Sequence, residues 1–192
     1  HKEYRRQRQM CIRDSHRAAV PQGAEFLHVD LADVEATDRA VSSGRWDAVL
    51  HFAALSIVGE RMRQPFLYLR HNYITSLNLI EACTRHGVTR FVFPSTAALF
   101  GGEEQMPLIS AEAPIDPGSP YGESKYLIER ALVWADRICG MKSACLRYFN
   151  AAGADAKGRL GEDHRPETHL IPLTIDAALG RRAGLKLFGN DY

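Results

Sequence analysis

The feature that most confines this chain is an alternation of short apolar runs with longer segments of helical spacing. Glu25-Phe26-Leu27-His28-Val29, Asp47-Ala48-Val49-Leu50-His51-Phe52, Arg90-Phe91-Val92-Phe93 and Ser143 to Phe149 are predicted strands, with Leu185-Lys186-Leu187-Phe188 a short fifth. Between them lie four predicted helices. Val34 to Ser43 is closed by Gly44, Pro65 to about Arg85 by Gly87, Tyr121 to about Ile138 stops before Gly140, and His169 to Leu179 follows. In the second of these, Leu69, Tyr73, Leu77, Ile80 and Cys83 keep helical spacing. Strands joined by helical crossovers give a parallel sheet covered on both faces. The expected class is therefore α/β, doubly wound. Such sheets bind ligands beyond the carboxyl ends of their strands, and here Asp30, Ala53-Ala54, Ser95-Thr96 and Asn150 close four of the runs.

Composition removes other classes. Of 192 residues, 45% are hydrophobic and 24% charged, and the formal net charge is +1. That balance suits a soluble globular domain and offers nothing to a nucleic acid or a membrane surface. No apolar run approaches the roughly 18 residues of a membrane span, and the basic N-terminus lacks the apolar stretch of a signal peptide. Cys11, Cys83, Cys139 and Cys145 show no metal-ligand or C-x-x-C spacing. Reduced thiols, a cytoplasmic location and no metal are expected. Residues 1–15, HKEYRRQRQMCIRDS, have no periodicity and few apolar side chains, and are set aside as a non-native or disordered basic arm.

The chemistry gathers at Ser119-Pro120-Tyr121-Gly122-Glu123-Ser124-Lys125. On a helix Tyr121 and Lys125 stand at i and i+4, one above the other. An ammonium beside a phenol favours the phenolate and lowers the tyrosine pKa from about 10, which makes a proton-transfer group near neutral pH. Thr96, at a strand end, adds a hydroxyl donor. Each has an ordinary reading alone: a surface Tyr/Lys pair, a strand-end hydroxyl bonded to backbone, a solvated helix charge.

Together, in this order and at this separation, Thr96, Tyr121 and Lys125 resemble the extended short-chain dehydrogenase/reductase family over about residues 25–192. The resemblance sharpens at His51 to Leu55, Asn72, Pro94 to Gly101, Leu146 to Asn150, Gly161-Glu162-Asp163, His169 to Pro172 and Phe188 to Tyr192. It implies a partial Rossmann-like sheet lacking the first βα unit. Residues 16–165 would be a partial NAD-binding domain and 166–192 the start of a truncated substrate-binding region. The implied activity is interconversion of UDP-glucose and UDP-galactose through a 4-keto sugar, with NAD as cofactor. Tyr121 would take the sugar 4-hydroxyl proton, Lys125 would lower its pKa and hold the nicotinamide ribose, and Thr96 would bond the reacting oxygen. Asp30 and Leu31 match an adenine-binding pair. Phe52, Ala53 and Leu55 would line the cofactor's path, with Asn72 beside it and Tyr148 near the nicotinamide. Asn150, Leu170, Lys186 and Phe188 fall on positions that hold the UDP-sugar. The two long helices would pair in a homodimer.

There are departures from the family pattern. Ser56 stands where many relatives have lysine, His169 where many have asparagine, and Phe100 where tyrosine is commoner. The Gly-rich turn expected before Asp30 is absent, Gly23 alone not supplying it, and so is the pyrophosphate cradle at its helix N-terminus. An internal part of a longer protein, inactive alone and poorly stable, is expected. A dehydratase, decarboxylase or uronate epimerase is the alternative within the family, and a non-catalytic nucleotide-binding module the alternative outside enzymes. Dehydration usually uses an Asp-Glu pair directly after the strand-end threonine, and Ala97-Ala98 stand there instead.

Overall fold

The computed structural model describes residues 23–55, 64–101, 109–110, 112–153, 155–158 and 167–186. Contacts divide the chain into two units, Leu27–Asn150 and His1–Phe26 with Ala151–Tyr192. The basic stretch 1–15 lies outside the described residues, as do Ser56, Gly161 to Asp163 and Phe188.

The larger unit opens with α1, Val34–Ser42, whose N-cap Asp33 accepts the Ala36 amide at 2.9 Å. Strand β1 is Val49–Leu50. Helix α2 begins as Pro65–Tyr68, widens into a π turn at Leu69–Tyr73 and resumes as Ile74–Arg85. Strand β2 is Arg90–Thr96, followed by a 3₁₀ turn, Ala97–Phe100. Helix α3 is Pro120–Cys139 and strand β3 is Lys142–Tyr148. The three strands are parallel in the order β1-β2-β3, with Val49 opposite Phe91 and Phe93 opposite Cys145.

One face of the sheet is closed. Phe91 and Phe93 project into a core with Leu79, Ile80 and Cys83 of α2 and Ile128, Leu132 and Ala135 of α3. Among the described residues of this unit, the other face, which carries Leu50, Leu146 and Tyr148, is exposed. In the smaller unit, α4 is Leu170–Ala178, with His169 at its N-cap.

Three expectations need correction. Residues 25–29 are not a strand, because no ladder partner lies beside them among the described residues, and a strand exists only through pairing. Leu185 and Lys186 likewise form no strand. The spacing read for α2 also slips. The π turn adds a residue to one turn, so Tyr68, Asn72, Thr75 and Ser76 point inward where Leu69, Tyr73 and Leu77 are only half-buried.

Candidate active site

The site forms where the first turn of α3 meets the end of β2. Ser119 caps the helix, its Oγ accepting the Gly122 amide at 3.2 Å, and Pro120 supplies a first-turn residue that needs no donor. A Cβ on Gly122 would stand 2.6 Å from the Ala98 carbonyl oxygen. Only glycine lets this turn rest on the 3₁₀ turn after Thr96. The same contact carries Tyr121, the neighbour of Gly122, to the end of β2. Thr96 is buried, and its Oγ1 accepts the Ala98 amide at 3.1 Å. A hydroxyl used as acceptor still has its proton to donate.

Lys125 is 3% exposed. Its Nζ donates to the Pro94 carbonyl at 2.9 Å and lies 4.6 Å from the Phe93 ring centre and 5.7 Å from that of Tyr121. Burial pushes its pKa down to about 8, so at neutral pH the amine is still mostly charged. The early end of β1 makes this placement possible. The Val92 carbonyl accepts the His51 amide at 3.0 Å, so the backbone of Val92 faces β1. Two residues on, Pro94 faces the same side, beyond the last Leu50–Val92 pair. Its missing N–H costs no ladder bond there, and its carbonyl is left to the lysine.

A polar seam backs the pair. Asn72 is fully buried in the π turn. Its Oδ1 accepts the Leu55 amide at 2.8 Å, and its Nδ2 donates to the Leu55 carbonyl at 3.1 Å and to Ser124 Oγ at 3.3 Å. Ser124 in turn donates to the Tyr121 carbonyl at 2.7 Å. Ser76 donates to the Asn72 carbonyl at 2.7 Å, which spends its single proton, so His51 Nε2, 2.8 Å away, is the donor of that pair. Burial first, then the charge of Lys125, lowers the His51 pKa to about 4, and the ring is neutral at pH 7. The end of β1, the π turn and the first turn of α3 are thereby tied together. Asn72 acts through Leu55 and Ser124, with its amide consumed by them. The sequence offered Asn72 as a neighbour of the cofactor and gave no signal for the π turn that buries it.

The other sequence-based candidates spread along the strand ends of the larger unit. Phe52 and Ala53 are exposed just after β1, while Leu55 is buried. Tyr148 ends β3, opposite Thr96 in the ladder, and Asn150 is exposed beyond it. Asp30 and Leu31 sit in the turn before α1, where Asp30 Oδ1 accepts the Ala32 amide at 3.0 Å and the Leu31 carbonyl takes Asn78 Nδ2 at 2.9 Å. Leu170 and Lys186 belong to the smaller unit and are exposed.

These groups suit the nicotinamide-ribose half of a dinucleotide. The donor set is a buried cation, a phenol and a hydroxyl, and the aromatic rings of Phe52 and Tyr148 stand open at the carboxyl ends of the strands. For the pyrophosphate half, no Gly-rich turn at a helix N-terminus occurs among the described residues. No described helix is long and apolar enough to cross a membrane, and no described group of His, Cys, Asp or Glu has the arrangement of a metal site.

Comparison with known proteins agrees with this geometry. The model of the NAD dependent epimerase/dehydratase family matches residues 3–191, a span that reaches into the basic stretch set aside on composition. UDP-glucose 4-epimerase of Rhizobium leguminosarum bv. trifolii is 47% identical over 163 residues, 85% of this chain and 50% of that protein. The enzyme of the same name from Halalkalibacterium halodurans is 44% identical over 167 residues, 87% of this chain and 50% of that one. The chain spans about half the length of the curated relatives it matches. Among solved structures, UDP-glucose 4-epimerase from Brucella ovis in complex with NAD is 37% identical and superposes with a TM-score of 0.85. The match covers 92% of this chain and 54% of that one. The Bifidobacterium longum enzyme in complex with NAD+ and UDP gives a TM-score of 0.78 at 32% identity, over 86% of this chain and 50% of that one.

Proposed function

The chain belongs to the NAD dependent epimerase/dehydratase family, and from that premise we propose that the protein it contributes to is a UDP-glucose 4-epimerase. The observation that carries this reading is Lys125 Nζ held 5.7 Å from the Tyr121 ring, on a helix turn that rests against the turn directly after Thr96. The charge held at Lys125 Nζ favours the Tyr121 phenolate. In that form Tyr121 takes the proton of the sugar 4-hydroxyl and returns it after the 4-keto sugar has turned over. The Thr96 hydroxyl donates to the reacting oxygen. Bound NAD supplies acceptance and return of hydride at sugar C4. Lys125, Tyr148, Phe52 and Ala53 would hold its nicotinamide half, Asp30 and Leu31 its adenine end. Asn150, Leu170, Lys186 and Phe188 would grip the UDP-hexose, mainly through its nucleotide, because fixed contacts to the hexose would stop the turn.

Ala97-Ala98 after Thr96 speaks against dehydration, which needs a second acid/base pair at that place. The protein of full family length converts UDP-galactose to UDP-glucose with no added reductant. Release of water or carbon dioxide in that assay overturns the reading in favour of a dehydratase or decarboxylase. Tyr121→Phe lowers turnover by about a hundredfold to ten-thousandfold with UDP binding intact. Unchanged turnover would remove Tyr121 from the chemistry, and a parent that binds UDP without any turnover would instead support a non-catalytic nucleotide-binding role.

A homodimer formed through α2 and α3 fits their exposed outer residues Phe66, Ile74, Val133, Trp134 and Ile138. The cytoplasmic location rests on the cysteine pattern of the sequence.

A further inference from the structure

Below the reacting groups lies a carboxylate that the chemistry above does not use. Glu129 is one helical turn beyond Lys125 and two beyond Tyr121, on the same line of α3. It is buried, and it takes three hydrogen bonds: Ser95 Oγ at 2.6 Å and Arg147 Nε and Nη2 at 3.2 and 2.8 Å. Ser95 directly precedes Thr96, Arg147 directly precedes Tyr148, and the two are paired across the β2–β3 ladder. The Arg147 guanidinium also lies 5.3 Å from the centre of the Phe100 ring, which ends the 3₁₀ turn. Helix α3, strands β2 and β3 and, through Arg147, the 3₁₀ turn therefore converge on one carboxylate.

We propose that Glu129 is a positioning residue whose bonds to Ser95 and Arg147 fix the rotation and height of α3 over β2 and β3, and so aim Tyr121 and Lys125 at Thr96. This inference rests on the proposed acid/base role of Tyr121. Glu129 is buried while the Arg147 side chain is 30% exposed, and such a partly buried ion pair contributes little net stability against an apolar replacement, but its geometry fixes register. The β2–β3 pair is already locked by its ladder, but α3 packs on it through Ile128 and Leu132 against Phe91 and Phe93, contacts less directional than hydrogen bonds. A bidentate guanidinium and a short hydroxyl bond set its height.

The test uses the full-length protein with three variants. Glu129→Leu/Arg147→Leu replaces the pair with apolar side chains. It keeps the thermal transition, lowers kcat by about 10- to 100-fold, as small misplacements of reacting groups do, and leaves KM for UDP-galactose unchanged. The Tyr121 phenolate band, read by ultraviolet titration as the difference from Tyr121→Phe, moves to higher pH as the ammonium drifts from the ring. Wild-type kcat with an unmoved phenolate titration overturns the proposal. So does a fall of kcat together with a raised KM and a lowered thermal transition, which marks a structural role. Ser95→Ala removes one bond without unpairing a charge, and it gives a smaller kcat loss with the transition retained. Wild-type kcat there counts equally against the proposal if the double variant does not fold. Tyr121→Phe separates the two readings: full activity in that variant sinks the proposed function, whereas its loss beside an unaffected double variant sinks only the role of Glu129.

Discussion

The two halves of α3 are built on opposite principles. From Arg130 to Cys139 the buried line is Leu132 and Ala135, packed with Phe91, Phe93 and Met141 and closed by Gly140 in the left-handed region at φ 74°. From Pro120 to Glu129 the same side of the helix buries Ser124, Lys125 and Glu129. The first arrangement stabilises by removing apolar surface from water. The second places a charged amine out of water to hold it beside a phenol, at a cost that the apolar half offsets. One helix thus divides between holding the fold and holding the chemistry.

If that division is real, substitutions in the two halves have opposite effects on stability and turnover. The largest effect on the fold comes from Leu132→Ala, which empties a fully buried site. It costs about 2–5 kcal/mol in denaturant unfolding, while turnover per folded molecule is unchanged. Equal losses of both would erase the distinction. Lys125→Met inverts the pattern, with turnover lost and stability raised by about 1–3 kcal/mol at pH 7. The pH dependence sharpens this. Lys125 titrates at about 8 in the folded protein against 10.5 ordinarily. Between these values the unfolded chain binds more protons, so the stability of the parent rises with pH through the window and the advantage of the variant shrinks. Urea midpoints at pH 7 and pH 10 that differ by the same amount between the two proteins would contradict the assignment. Smallest is Ser119→Ala, which removes the cap at the chemical end and costs about 0.5–2 kcal/mol. Fraying of the turn that holds Tyr121 adds a modest fall in turnover, measurable beside the stability loss.

Much of this was legible from residues in line. Ser119-Pro120 and Gly140 marked the two ends of α3 and Gly87 marked the end of α2, because helix ends are set by local backbone groups in need of partners. Thr96, Tyr121 and Lys125 could be named from order and spacing. Residues 25–29 misled, since β character in a sequence is an offer of pairing and nothing described accepts it. The burial of Asn72 in the π turn was silent because its partners, Leu55 and Ser124, lie in two other segments. Glu129 looked like one more helix carboxylate until Ser95 and Arg147 were seen to enclose it.

The sequence by itself determined the alternation of helices with parallel strands and the ends of the long helices, which follow from periodicity and short-range hydrogen bonding. Only the tertiary structure decided which polar groups are buried, how Pro94 gives its carbonyl to Lys125, and where Gly122 allows α3 to touch the turn after Thr96. Those facts depend on backbones from distant parts of the chain approaching within a few ångströms. Burial and the fall in the Lys125 pKa exist only once that approach has been made.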